Sequence, residues 1–332
     1  MGRSKIEWLQ KAGYVGATWN TAHGCDEISP ACANCWAERM AKRLAAMGVK
    51  GYDKQAPFDF TLHPERLDEP LYWTKPHLVF PISMGDIGHK DMPYEMVAAM
   101  WQVMAATPQH TYLVLTKRPG QLLRSMRRIL TAGLDGTERG SFEALEHAGR
   151  RYVAMLPQAS QAKLRAGWGC CGELGQVWPL RNVWVGITAE NQAQFDKRVY
   201  WLESIPAYKR WVSVEPLLGL LRFGHMKRLL DWIVVGGESG NKARIMQKDW
   251  LQAVVNEAQR EFWGGPVPAY FKQWGAWGPV YDIGEGEAIA GRSSYVEQVG
   301  GVRYVKVGKK RAGNVLNGER IEQFPAFWKP NE

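Results

Sequence analysis

DWIVVGGESG, Asp231 to Gly240, is a continuous apolar run that ends in a cluster of glycine, glutamate and serine. The same form recurs in HLVFPISMGD (His77 to Asp86), TYLVLTKR (Thr111 to Arg118), NVWVGITAEN (Asn182 to Asn191), RWVSVEP (Arg210 to Pro216) and VPAYFKQWG (Val267 to Gly275). ATWN, ending at Asn20, would start the series. Continuous rather than alternating apolar strands are what a parallel sheet covered on both faces requires. Helical patterns separate them: NCWAERMAKRLAAMG, PYEMVAAMWQVMAA and DWLQAVVNEAQREFW. This β-then-α rhythm predicts an α/β fold, either a (β/α) barrel or an open, doubly wound sheet.

Every run ends in polar residues. In a (β/α) barrel the loops after the strands converge on one mouth, where the active site lies. Asn20, Ser83, Asp86, Lys117, Arg118, Thr188, Glu190, Asn191, Glu215, Glu238, Lys272 and Gln273 are therefore expected to face one cavity. Trp19, Trp36, Trp184, Trp232 and Trp274 fall near that expected mouth, with ordinary core packing the preferred reading for most of them.

The segment from about Leu122 to Leu180 interrupts the rhythm and reads as a helical insertion beside the barrel. Within it Cys170 and Cys171 are adjacent, so their side chains diverge in an extended segment and a structural role is expected. The tail after Trp274 reads as a short hairpin-like β appendage with turn signals at Gly308, Asn317-Gly318 and Pro325. The expected division is a barrel over 1–275, with the insertion at about 122–180, and an appendage over 276–332 packed on it.

Composition narrows the partners. The chain has 332 residues, 45% of them hydrophobic, enough for a large core. No apolar run approaches the roughly 20 residues of a membrane span, and MGRSKIEWLQKAG has no signal-peptide stretch, so a cytoplasmic, non-membrane protein is expected. The formal charge of +9 favours a polyanionic partner, nucleic acid above all.

Three of the five cysteines, Cys25, Cys32 and Cys35, lie within WNTAHGCDEISPACANCWAERM. Three thiolates on one loop are soft ligands that can converge on a metal centre. The loop follows a strand and precedes a helix, whose N-terminus favours thiolates. Spacing alone leaves two candidates: an iron–sulfur cluster held by three cysteines with one iron open, or zinc with His23 as a fourth ligand. Placement at a barrel mouth favours the reactive centre.

WNTAHGCDEISPACANCWAERMAKRL, ISMGDIGH, LTKRP, NVWVGITAENQ, SVEPLLG, DWIVVGGESG, FKQWG and VGKKRAGNVLNG together resemble the three-cysteine-motif phage protein family. That family, once catalogued as a phage domain of unknown function, is similar to radical S-adenosylmethionine (SAM) enzymes. The resemblance implies a partial TIM-type barrel carrying a [4Fe–4S] cluster on Cys25, Cys32 and Cys35, with SAM as second cofactor. The gap from Asp26 to Ala31 is longer than the general radical-SAM loop has, as is usual for the phage family. The sequence GGE at Gly236 to Glu238 lies too late in the chain to take the SAM-amine role.

By position, Ser83 and Asp86 are the polar contacts for the methionine end of SAM, with Lys117, Thr188 and Glu190 beside them. Glu215, Glu238, Lys272, Arg118 and Asn20 are left to the substrate, with a Glu215–Lys272 pair across the barrel mouth the alternative for those two, and Lys242 and Arg244 join Lys117, Arg118 and Lys272 as candidate phosphate or carboxylate contacts. The reaction implied is reductive cleavage of SAM to a 5′-deoxyadenosyl radical that takes a hydrogen atom from the substrate. The leading expectation is an isomerase-type rearrangement of a hypermodified thymidine in phage DNA, protecting it from host restriction in the host cytoplasm. An electron donor is needed, and a partner protein is possible. Two alternatives share the motifs: a radical SAM enzyme on a small molecule or protein, and a zinc-stabilised nucleic-acid-binding protein.

Overall fold

All seven apolar runs form strands: β1 (Val15–Trp19), β2 (His77–Pro81), β3 (Thr111–Thr116), β4 (Val183–Thr188), β5 (Lys209–Val214), β6 (Trp232–Gly236) and β7 (Ala269–Gln273). In the computed structural model, which describes residues 4–11, 13–131, 138–169, 178–283, 285–292 and 295–327, they pair in parallel in chain order. A doubly wound sheet would reverse its strand order at a switch point. The sequential order therefore selects the barrel reading, and the sheet is a half-barrel with β1 and β7 at its edges.

Helices return the chain between strands. α1 (Trp36–Ala46) and α2 (Tyr94–Ala105) follow β1 and β2, α3 (Pro119–Thr131), α4 (Glu138–Val153) and α5 (Gln158–Gly169) follow β3, and α6 (Gln192–Ser204) and α7 (Lys248–Ala258) follow β4 and β6. α3 packs on α2 and α6, the place of an ordinary return helix, while α4 and α5 lie against α2. Every residue of α2 from Met96 to Ala105 is buried. A helix sandwiched between a sheet and other helices has no solvent face, which is why its sequence is apolar all round. Cys170 and Cys171 lie outside the described residues.

The register puts alternate residues on the concave face. Leu113 pairs with Trp184, Leu115 with Gly186, Gly186 with Trp211 and Trp211 with Trp232. At the strand starts this face is plugged by aromatics. Trp8, from the turn Glu7–Leu9, meets Trp211 with ring centroids 5.4 Å apart and Phe80 at 5.1 Å. Gly186 makes the plug possible, since a Cβ there would stand 2.5 Å from the Trp211 indole.

Trp184 and Trp232 belong to this plug, not to the mouth. Trp19 and Trp274 are buried on the helix side, their indole N–H groups donating to the carbonyls of Arg66 and Val315, both at 2.8 Å. Trp36 is exposed. The other four tryptophans are core, as large aromatics usually are.

Beyond β7, β8 (Trp277–Pro279), β9 (Val296–Val299) and β10 (Val302–Lys306) form an antiparallel sheet, and β11 (Val315–Leu316) and β12 (Glu319–Arg320) a hairpin. Asn317 and Gly318 both have positive φ, 52° and 85°, the geometry of a two-residue hairpin turn. The chain then runs along β7, where the Phe271 N–H donates to the Ile321 carbonyl at 2.7 Å and covers a sheet edge. Short helices α8 (Gly286–Arg292) and α9 (Lys309–Ala312) complete the appendage.

The buried His110 is among the groups that make stability depend on pH. His110 is fully buried, its Nδ1 accepting the His77 backbone N–H at 3.2 Å while Nε2 donates to the Pro70 carbonyl at 3.2 Å. Protonation at Nδ1 would break the first of these bonds. Burial, reinforced by His77, lowers its pKa from 6.5 to about 4. The unfolded chain therefore binds the proton first, and the contribution of His110 to stability is complete above about pH 6.5 and lost as pH falls towards 4. At 1.36 kcal/mol per unit the full contribution is about 3 kcal/mol. His110→Gln, which keeps both bonds without titrating, is expected to flatten the acid limb of the unfolding free energy. Equal acid slopes for both proteins would refute this assignment.

Candidate metal and cofactor site

Where β2, β3 and β4 end, a cavity of about 290 Å³ opens on the concave side, and Cys25, Cys32 and Cys35 all line it. All three are free thiols. Asp86, Lys117 and Thr188 share the wall, with Phe58, Phe80 and Leu115 as its apolar part.

Backbone stitching fixes Cys25. Gly24 bridges to Gly85 in the turn after β2, its N–H donating to the Met84 carbonyl at 3.0 Å, and the Cys25 N–H donates to Phe58 O at 3.2 Å. Gly24 has φ of 86°, and a Cβ there would lie 2.2 Å from the Asp59 carbonyl, so only glycine allows this approach. In the same turn Ile82 has φ of 52°, a strained value for a β-branched residue. Asn20 holds the turn: its Oδ1 accepts from Ser83 Oγ at 3.1 Å and from the Met84 N–H at 3.2 Å. Cys32 lies in the 3₁₀ turn Pro30–Asn34, and Cys35 caps α1.

Two cations reach the sulfurs. Arg118 Nη1 is 2.9 Å from Cys25 Sγ, and Lys117 Nζ is 3.5 Å from Cys32 Sγ. The two thiols differ in acidity. Burial and the nearby Asp86 push Cys25 up to about 11 against the pull of Arg118. For Cys32 burial also pushes upward, but Lys117 and hydrogen bonds at Ile28 and Ser29 outweigh it and lower the pKa.

The carboxylates expected to meet ligands are already engaged. Asp86 accepts four hydrogen bonds: Gly88 N–H (2.8 Å) and Thr116 Oγ1 (2.5 Å) on Oδ1, Lys117 N–H (3.0 Å) and Arg118 Nη1 (3.1 Å) on Oδ2. A carboxylate offers about four lone-pair sites, so Asp86 orients Lys117 and Arg118 rather than a cofactor. Glu238 is filled likewise, by a two-pronged pair with Arg244 (2.6 and 2.9 Å), by the Arg244 N–H and by Asn34 Nδ2 at 3.0 Å. Arg244 also donates to the Pro30 carbonyl at 3.0 Å. Glu190, fully buried, pairs with Arg198 at 2.9 Å and accepts the Ala31 N–H at 3.2 Å. Glu190, Glu238 and Arg244 thus brace the cysteine loop.

The expectation of one shared cavity is corrected accordingly. Asp86, Lys117 and Thr188 line it, and Arg118 touches Cys25. Glu215 and Lys272 do not line it; they pair with each other at 2.9 Å, with Ser213 Oγ 3.1 Å from Glu215. Their side chains reached the concave face, but opposite charges found each other first. Lys242 contributes its carbonyl, which accepts from Asn34 at 2.9 Å.

The sequence reading missed Phe80 and Leu115, although alternation along β2 and β3 assigns both to the concave face. It also missed Asp26, whose carbonyl accepts from Arg118 Nη2 at 2.8 Å, and Phe58, which sits in a loop without periodicity. His23 is turned to another task. Its Nδ1 is 2.7 Å from His63 Nε2, and burial with the neighbouring His63 lowers its pKa to about 4. Among the described residues, no three His, Cys, Asp or Glu side chains gather about one point as ligands of a single ion.

The family model described as protein of unknown function (DUF5131) matches residues 3–325. The chain belongs to the DUF5131 family. The match spans the half-barrel, the cysteine loop and most of the appendage of this DUF5131 protein. No curated protein and no solved structure matches the chain. No helix among the described residues is long and apolar enough to cross a membrane.

Proposed function

We propose that this DUF5131 protein is a radical SAM enzyme of the three-cysteine-motif phage type, with a [4Fe–4S] cluster on Cys25, Cys32 and Cys35. The observation that carries the reading is the placing of three free thiols around one cavity at the C-terminal ends of a parallel half-barrel, with Arg118 and Lys117 on two of the sulfurs. The residues fit the group. A tetrahedral zinc, with Zn–S bonds of about 2.3 Å, draws its ligands about one point, whereas a polynuclear cluster takes thiolates from around a cavity. The zinc alternative also lacks its fourth donor, since His23 is bonded to His63.

When bound, such a cluster supplies the electron for reductive cleavage of SAM, the source of a radical that takes a hydrogen atom from the substrate. The chain's own part is positional. Lys117 and Arg118 offset the negative charge of the thiolates, and Asp86 holds both in place. Phe58, Phe80 and Leu115 exclude water from the reacting centre. Thr188, on the cavity wall, is placed to meet SAM, and Glu215 with Lys272 offers the substrate a carboxylate and an ammonium on the same concave face.

The substrate we propose is a base in DNA, a hypermodified thymidine rearranged by an isomerase-type step, presented extruded from the duplex. The charge of +9 supports a polyanionic substrate. Reduced protein incubated with SAM and DNA containing modified thymidine is expected to yield 5′-deoxyadenosine and a nucleoside of altered chromatographic retention. If free amino acids or peptides support SAM cleavage and DNA does not, the DNA assignment is wrong while the radical SAM assignment stands.

A further inference from the structure

Beside the thiol cavity lies a second, more open depression of about 350 Å³, between the loop after β2 and helix α3. The two are neighbours through Asp26, which lines the first and whose carboxylate is 3.2 Å from His89 Nε2 and 3.6 Å from Lys90 Nζ, both residues of the second. One wall is α3, which carries three arginines and no carboxylate in 13 residues. Its buried stripe of Leu122, Leu123, Met126 and Ile129 faces the core, leaving a solvent face whose charged residues are all arginines.

Arg124 and Arg128 point into the depression, with Gln121 and Ser125 between them as neutral donors. The Arg128 guanidinium lies 4.0 Å from the Tyr94 ring centroid, so its position is set before any ligand arrives. Among the described residues neither arginine makes an ion pair. The opposite wall carries Asp91 and Glu95, and Asp91 is held by Lys90. α3 starts directly after Lys117 and Arg118, so cations run from the thiols outward along its length. At 1.5 Å rise per residue, Arg118 to Arg128 spans about 15 Å, and Arg124 and Arg128 are about 6 Å apart. That interval suits successive phosphates of one strand.

We infer that this depression is the backbone track of the substrate: Arg124 and Arg128 hold the phosphates of nucleotides flanking the base that enters the thiol cavity. The inference rests on the DNA reading above and deepens it, because it makes the substrate a polymer rather than a free nucleoside. Such contacts position the strand without reading its sequence.

The test uses full-length protein and a fluorescent 30-base-pair duplex, with affinity measured against salt. The variant Arg124→Ala/Arg128→Ala is expected to bind at least ~10-fold more weakly, with a salt slope smaller by about 2, at about 0.9 for each phosphate that is no longer neutralised. The control Lys310→Ala/Arg311→Ala removes the same charge from the appendage and should bind as the wild type does. Thermal melting verifies that both variants are folded. Wild-type binding that is unchanged in the α3 variant, or equally weakened in the control, overturns the track and leaves the DNA reading standing. A wild type that binds phosphatidylserine vesicles and not DNA overturns both.

Discussion

Replacing Cys25, Cys32 or Cys35 singly by Ala is expected to abolish the visible absorbance of anaerobically purified protein and all formation of 5′-deoxyadenosine from SAM. The effect is all-or-none because in the proposed centre three thiolates are the whole protein ligand set, and each is held by a different part of the chain. Gly24 and the turn after β2 fix Cys25, the braced 3₁₀ turn carries Cys32, and the first turn of α1 follows Cys35. His23, the other ligand the loop could offer, is engaged by His63. Cys170→Ala and Cys171→Ala are expected to keep both signals. A Cys32→Ala protein that still cleaves SAM would contradict the ligand assignment.

Glu190→Ala is expected to destabilise the fold by about 3 to 5 kcal/mol, the usual cost of leaving a buried charge without its partner. Glu190 and Arg198 are both almost wholly buried, at 0% and 3% side-chain exposure. The substitution strands the guanidinium and also orphans the Ala31 N–H in the cysteine loop. Glu190→Gln keeps an acceptor for both donors and should lose less. Urea unfolding of the three proteins measures this. If Glu190→Ala unfolds like the wild type while losing SAM affinity, Glu190 is a cofactor contact and not a brace.

The strands were legible because a parallel strand buried on both faces must be apolar throughout, and each such run ended where the sheet ended. The hairpin turn at Asn317-Gly318 was legible for a related reason: few residue pairs tolerate positive φ twice in succession. The cysteine loop announced itself by spacing. What stayed hidden was partner choice. Asp86, Glu190, Glu215 and Glu238 occupy strand ends as expected, yet each is engaged by a group distant in sequence or invisible to pattern. Arg198 and Arg244 could be named as cations, but nothing in a linear pattern says which carboxylate each will neutralise; Glu215 and Lys272, at the ends of strands, were the one pair open to expectation. The Trp184 and Trp232 positions show the complementary limit, since a residue near a strand start packs at the closed end of the half-barrel even when its strand leads to the mouth.

The central claim is that the three thiols hold iron and sulfide, and metal analysis of the wild-type protein, purified without oxygen from iron-replete cells, tests it most directly. The account predicts about four irons per chain, matching sulfide, a brown colour and no stoichiometric zinc. One zinc per chain with no iron, in colourless protein, would contradict it.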